Sequence, residues 1–250
     1  MNPEDLMVTC GQISRKQDNK SHNRKVIKTS IHPGYNFRFQ NHYALLFLDQ
    51  DYTLVENEIN VACLPNMTMY KDYDPESCIA TGWGETVEYS GKSHNQFGLK
   101  SVIVQFHLSA GLDALQSKLK AVPMPIMEKD QCERSYREHN RKYFSLHNSL
   151  ICGGGKKNVD TCKGDLGGPL VCNSKSDPDR FVQLGIIPAT LADSECGQSG
   201  IPRLFASLPY GICFIKSAIE CAVSNFFLEA RIWAIILFIC LSCFSSGLNV

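Results

Sequence analysis

Apolar and β-branched residues occur in short runs along this chain. Three of the runs, Lys25–Ile31, Tyr43–Leu48 and Phe181–Ile187, are separated by turn-forming residues. Short strands with turns between them are typical of antiparallel β-proteins. The pattern therefore predicts an all-β fold built from antiparallel strands.

The C-terminal end of the chain has a different pattern, because residues 232–250 contain no charged side chain. As a helix this stretch would be about 28 Å long, just enough to cross the hydrocarbon core of a bilayer. We expect residues 227–250 to form a hydrophobic helical tail. Three interpretations stay open: a transmembrane helix, a GPI-attachment signal with its site near Ser224, and a translated intron.

Length and charge indicate a globular domain and argue against a nucleic-acid partner. The 250 residues are enough for one sizeable domain or two small barrels around a cleft. Twenty-five basic and 25 acidic residues leave no net charge, and no basic stripe indicates a nucleic-acid partner. We expect no cofactor.

Twelve cysteines indicate an oxidising compartment. No pair of them has the close cysteine and histidine spacing of a zinc site, so we expect no metal. Two glycosylation sequons begin at Asn19 and Asn66, and they matter only if the chain is secreted.

The strongest motif lies at Asp160–Cys172, which reads DTCKGDLGGPLVC. It resembles the nucleophile loop of the trypsin-like serine proteases, whose core motif is Gly-Asp-Ser-Gly-Gly-Pro. Leu166 stands at the position of the serine, and leucine offers no hydroxyl for a base to deprotonate. The loop is thus intact around a residue that cannot act as a nucleophile.

Two upstream segments resemble the same family. Cys78–Gly84 is similar to the Cys-x-x-x-Gly-Trp-Gly segment that opens the second barrel, and Asn41–Leu46 is similar to the strand that carries the catalytic aspartate. His42 stands at that aspartate position and supplies no negative charge. We expect an ordinary strand-end histidine there, with a separate role for His42 as the alternative. The family's Ala-Ala-His-Cys segment does not occur.

The resemblance implies a chymotrypsin-like double antiparallel β-barrel. Residues 1–226 would be the trypsin-like domain, with 1–75 a partial first barrel and 76–226 the second. Because the family's first strands have no counterpart here, we expect the first barrel to be incomplete and open at an edge.

The resemblance also implies three disulfides, Cys78–Cys172, Cys132–Cys152 and Cys162–Cys196. Cys213 and Cys221 lie eight residues apart, and we expect them to pair. For Cys63 two alternatives stay open: a disulfide with Cys10, or no disulfide. Cys240 and Cys243 are not assigned.

The resemblance places Asp160 at the carboxylate that binds a basic substrate side chain, Gly164 at an oxyanion-hole amide and Arg203 at a glycine of the pocket wall. We expect either that Arg203 fills the pocket and pairs with Asp160, or that Arg203 turns outward and leaves Asp160 solvated. Asp165, the residue that accepts the new N-terminus in the family, would find another hydrogen-bond partner or face water.

Residues 142–155, 160–165 and 209–215 together resemble the arthropod clip-domain serine protease homologues, although no clip domain occurs here. That resemblance implies a catalytically inactive, secreted protein that binds proteases or zymogens of an extracellular cascade, such as one in innate immunity. An active trypsin-like endopeptidase is the opposed hypothesis, and it needs a nucleophile that Leu166 does not provide.

Localisation is expected to be extracellular, with the tail as an anchor to the membrane if it spans one. Residues Met1–Asp5 lack the basic and apolar parts of a signal peptide. A nonfunctional truncated gene product is therefore the third hypothesis.

Overall fold

The computed structural model describes residues 2–15, 22–36, 38–55, 58–65, 72–85, 115–139, 141–188, 196–224 and 235–236. These residues form antiparallel sheets with few helices, which confirms the predicted all-β class. The strands are β1 Met7–Thr9, β2 Asn23–Ile31, β3 Ala44–Leu48, β4 Ile79–Gly82, β5 Lys120–Pro123, β6 Ile126–Met127, β7 Leu150–Gly153, β8 Pro169–Asn173, β9 Phe181–Ile186, β10 Arg203–Ser207 and β11 Ile235–Ile236. The helices are α1 Lys129–Glu138 and α2 Leu208–Ser224, and short 3-10 turns occupy Pro3–Asp5 and Pro75–Ser77.

The first sheet has the strand order β1-β2-β3-β11, with every neighbouring pair antiparallel. Its central strand β3 is buried on both faces, which explains why its sequence is continuously apolar rather than alternating. Leu45 and Phe47 pack against Leu208 and Ile212 of α2. The residues on the opposite face join Val26 in a second cluster.

The second sheet has the order β5-β4-β8-β9-β10-β7-β6, and its strands are antiparallel. Strands β5 and β6 lie at opposite edges, yet only Met124 and Pro125 separate them in the chain. Six inter-strand steps in a flat sheet would span about 29 Å, whereas so short a connection reaches only about 11 Å. The sheet therefore curls until its edges approach, as in a barrel, around a core that includes Leu170, Leu184 and Phe205.

Tyr43, which directly precedes β3, ties the first sheet to the second. Its hydroxyl donates to the carbonyl oxygen of Ser207 at 2.7 Å and lies 3.2 Å from that of Ser149. Gly211 in α2 leaves the space for this ring, because a Cβ there would lie 2.9 Å from the Tyr43 ring. Burial raises the pKa of the Tyr43 phenol above its usual range, so the hydroxyl stays neutral and remains a donor.

The second sheet and its flanking loops are cross-linked by Cys78–Cys172, Cys132–Cys152 and Cys162–Cys196. These are the three pairs that the family resemblance implies. The first two join β8 to the residue before β4, and α1 to β7. The third fixes the loop before β8 to residues that lie between β9 and β10.

The predicted Cys213–Cys221 disulfide is wrong, because both positions lie on the continuous helix α2. Eight residues along a helix separate their Cα atoms by about 12 Å. A disulfide requires a Cα separation below about 7 Å. The spacing in sequence therefore does not bring these two cysteines together.

The C-terminal helix of the described chain is α2, which ends at Ser224, before the apolar tail. Within 227–250 the described residues are Ile235–Ile236, and they are extended rather than helical. They pair with Phe47 and Leu46 of β3. The free edge of β3 offers unpaired backbone donors and acceptors, which an extended segment can satisfy.

No helix in the described parts of the chain combines the length and apolar character needed to cross a membrane.

Candidate functional site

Leu166 lies in the loop between β7 and β8, and 44% of its surface is exposed. The backbone on both sides of it is fixed: the Gly168 amide donates to the Asp165 carbonyl at 2.9 Å, and the Gly167 amide donates to the Ile187 carbonyl at 2.9 Å. The Ile187 amide in turn donates to Gly168 at 2.8 Å. The loop is thus held against the segment after β9, and it presents a hydrocarbon side chain.

A cavity of about 320 Å³ opens beside this side chain. Its described lining includes Thr161, Lys163, Gly164, Leu166, Ile187 and Pro188. Gly164, a predicted site residue, adopts a φ of 94°, which favours glycine. Of the three pocket residues that the resemblance implies, Gly164 is therefore the one that belongs to the described lining of this cavity.

Asp165 turns away from the cavity and into the protein. Its Oδ1 accepts from the Gly84 amide at 2.7 Å, and its Oδ2 accepts from the Cys162 amide at 2.9 Å. A Cβ at Gly84 would lie 2.5 Å from Oδ1, so the second glycine of the Gly-Trp-Gly motif makes room for this carboxylate. Of the two expectations for Asp165, the alternative hydrogen-bond partner is the one observed.

The Asp165 carboxyl group is buried, and burial disfavours its charged form. Burial raises its pKa, and the hydrogen bonds from the Cys162 and Gly84 amides offset this only in part. Nearby Asp160 raises the pKa further, whereas Lys120 lowers it. The carboxylate is thus held by neutral donors in a site that disfavours its charge.

Asp160 and Arg203 form a buried ion pair. Arg203 Nε lies 2.7 Å from Asp160 Oδ1 and 2.8 Å from Oδ2, and Arg203 Nη2 lies 2.7 Å from Oδ2. The Arg203 side chain is only 10% exposed, and the Asp160 side chain only 6%. Asp160 Oδ2 also accepts from the Gly197 amide at 2.6 Å. The arginine therefore turns inward, as the first of the two alternatives predicted.

Local structure explains why Arg203 points this way. It begins β10, where it pairs with Gly153 of β7. The preceding carbonyl, that of Pro202, accepts from the Tyr136 hydroxyl at 2.7 Å. Tyr136 belongs to α1, which Cys132–Cys152 fastens to β7. The backbone around Arg203 is thus fixed from two sides.

His42 packs against two aromatic rings. It is half-buried, and its ring centroid lies 5.1 Å from that of Tyr35 and 6.4 Å from that of Phe39. Burial lowers its pKa, while a backbone hydrogen bond raises it. The imidazole is therefore biased towards its neutral form, and it does not belong to the described lining of the cavity.

Sequence reasoning had not singled out two features of the site. Lys163 lines the cavity, and the Gly84 amide holds Asp165. Lys163 could have been found from its place in the loop motif, whereas the contact of Gly84 with Asp165 joins residues distant in sequence. The predicted glycosylation positions Asn19 and Asn66 lie outside the described residues.

Leu166 offers no hydroxyl for acyl transfer, and the Asp160 carboxylate, which the resemblance assigns to the pocket, pairs with Arg203. What remains is a fixed loop, an apolar cavity and a lysine at its edge, which are the elements of a binding surface.

Comparison with known proteins identifies the family of this fold. The trypsin family profile matches residues 2–110 and 108–210. An inactive CLIP domain-containing serine protease A8 from Anopheles gambiae is 27% identical over 223 residues, which cover 87% of this chain and 53% of that protein. Phenoloxidase-activating factor 2 from Galleria mellonella is 29% identical over 187 residues, with 74% and 53% covered. An inactive CLIP domain-containing serine protease A3 from Aedes aegypti is 27% identical over 201 residues, with 79% and 36% covered.

The chain thus spans about half the length of the first two relatives, or less in the third case. Several of the similar proteins are named as inactive serine proteases, which agrees with a leucine at the nucleophile position. Since the family profile covers most of its residues, the chain belongs to the trypsin family.

Proposed function

We propose that this chain is a catalytically inactive serine protease homologue that acts by binding other proteins. The observation that carries the proposal is Leu166, which replaces the nucleophile in a loop whose backbone is otherwise fixed. The internal pairing of Asp160 with Arg203 supports it, because a substrate's basic side chain would have to compete with Arg203.

Its partners are proteases or zymogens of a secreted cascade in an arthropod. Similar proteins named phenoloxidase-activating factors support this choice of cascade. Twelve cysteines, with disulfides among them, support an extracellular site of action. The protein would change the activation of a protease without cleaving any peptide bond itself.

Two measurements on the secreted, disulfide-bonded protein test this proposal. A fluorophosphonate probe should leave the chain unlabelled while it labels trypsin in the same tube. Addition of the protein to arthropod plasma should change the rate of phenoloxidase activation in a dose-dependent manner. Covalent labelling of this chain would identify an enzyme instead, and an unchanged activation rate would overturn the regulatory role.

A further inference from the structure

The cavity beside Leu166 is apolar on several sides. Leu166, Ile187 and Pro188 contribute to its wall, and Ile187 is almost fully buried there. With about 320 Å³ it lies at the small end of the range of about 300–1,000 Å³ that is usual for ligand pockets. Such a volume suits one large side chain and part of its neighbour better than an extended ligand.

Among the described lining residues, the charge of this cavity is the reverse of the one that the family resemblance implies. Among its described lining residues, the charged side chain is that of Lys163, which is exposed in the nucleophile loop. Asp160 does not contribute to that described lining, and its carboxylate is compensated by Arg203 and the Gly197 amide. A basic side chain entering the cavity would therefore meet a cation and find no free carboxylate among the described lining residues.

Backbone pairing adds little to recognition at this edge. The amide of Ile187 already donates to Gly168, and its carbonyl already accepts from Gly167. Pro188 has no amide hydrogen. Ile187 and Pro188 therefore offer a peptide no free backbone amide, and we expect side-chain packing and charge to provide most of the selectivity at these two residues.

We propose that this cavity binds an apolar side chain of a partner protein that has acidic residues next to it in sequence. Leu166, Ile187 and Pro188 contact the apolar side chain, while Lys163 attracts the acidic residues. The proposal rests on the protein-binding function proposed above and names the chemistry of the segment that is recognised. In this site Leu166 contacts the partner's apolar side chain. The site prefers acidic segments, whereas the family resemblance implies a preference for basic ones.

The test uses fluorescein-labelled peptides of equal length and measures fluorescence anisotropy with the purified protein. One peptide carries Gly-Leu-Glu-Glu-Gly, a second carries Gly-Leu-Lys-Lys-Gly, and a third carries Gly-Ser-Glu-Glu-Gly. The first should bind most tightly, because only it combines the apolar side chain with the acidic residues. Equal or tighter binding of either other peptide overturns the proposal, as does the absence of binding by the first.

The variant Lys163→Glu tests the role assigned to the lysine. It should weaken binding of the Leu-Glu-Glu peptide by about twofold to fivefold, the range of an exposed ion pair. Lys142→Glu makes the same charge change at another exposed lysine and should leave binding unchanged. Equal effects of the two variants would show a general charge effect and would overturn a specific site at Lys163.

The peptide test and the plasma test fail independently. If no peptide binds while the wild-type protein still alters phenoloxidase activation, the cavity is not the contact site and the proposed function stands. If the Leu-Glu-Glu peptide binds selectively while phenoloxidase activation is unchanged, the cavity proposal stands and the proposed regulatory role in phenoloxidase activation is wrong.

Discussion

The guanidinium group of Arg203 lies against the carboxylate of Asp160, with Nε 2.7 Å from Oδ1 and Nη2 2.7 Å from Oδ2. Both side chains are almost fully buried, so neither charge is well solvated. A buried pair of this kind adds little net stability, yet removal of one member leaves the other charge uncompensated. The pair therefore links the inward orientation of Arg203 to the integrity of the fold.

Replacement of Asp160 by alanine should destabilise the protein by about 3–5 kcal/mol, because it leaves Arg203 buried without its counter-ion. The free energy of unfolding from urea titration measures this effect. Asp179→Ala removes a carboxylate from an exposed turn and should change stability by less than about 0.5 kcal/mol. Equal stability of Asp160→Ala and wild type would contradict the buried pair.

Replacement of Arg203 by glycine should open the pocket and leave the Asp160 carboxylate free to bind a cation. We expect benzamidine to raise the melting temperature of Arg203→Gly but not that of the wild-type protein. At a ligand concentration of 100 times the dissociation constant, the stabilisation is about 2.7 kcal/mol. The double variant Asp160→Asn, Arg203→Gly should not respond. A similar response of the wild type would show that Arg203 does not block the site.

Replacement of Leu166 by serine should restore the hydroxyl without restoring catalysis. No histidine belongs to the described lining of the cavity, and His42 lies against Tyr35 and Phe39. A serine without its base loses several orders of magnitude in rate. Fluorophosphonate labelling of Leu166→Ser should therefore stay at the level of wild type and of the control Leu166→Ala. Rapid labelling of the serine variant would reveal a base that these contacts do not show.

The raised pKa of Asp165 predicts a pH dependence of stability. A native state that holds its proton more tightly than the unfolded chain gains full stability from this group below the ordinary aspartate pKa of about 3.9. That contribution is lost as the pH rises through the raised native pKa. The free energy of unfolding of wild type relative to Asp165→Asn should therefore fall with rising pH across this interval.

Urea titrations at several pH values measure this difference. Asp179→Asn changes an exposed carboxylate and should show no comparable trend. A relative stability of the wild type that rises with pH would mean that the amides of Gly84 and Cys162 outweigh burial at Asp165.

Several elements were predictable because they depend on local pattern. The apolar run at β3 and the β-rich runs at β2 and β9 predicted strands at the observed places. The loop motif at Asp160–Cys172 predicted where a site would lie, and the leucine within it predicts that the loop carries no nucleophile. The predicted pairing of Cys213 with Cys221 failed because both lie on helix α2. The number of residues between two cysteines does not give their distance until the backbone conformation is known.

The sequence by itself determined the family of the fold and the absence of a hydroxyl at residue 166, because both depend on residue identity in a continuous motif. Only the tertiary structure decided between the two orientations of Arg203 and between the two environments of Asp165. Each outcome depends on groups far away in sequence: the Asp160 carboxylate beside Arg203, and the Gly84 amide beside Asp165. The orientation of a charged side chain is set by whichever partner the fold brings within hydrogen-bonding distance, and that information is absent from its neighbours in the chain.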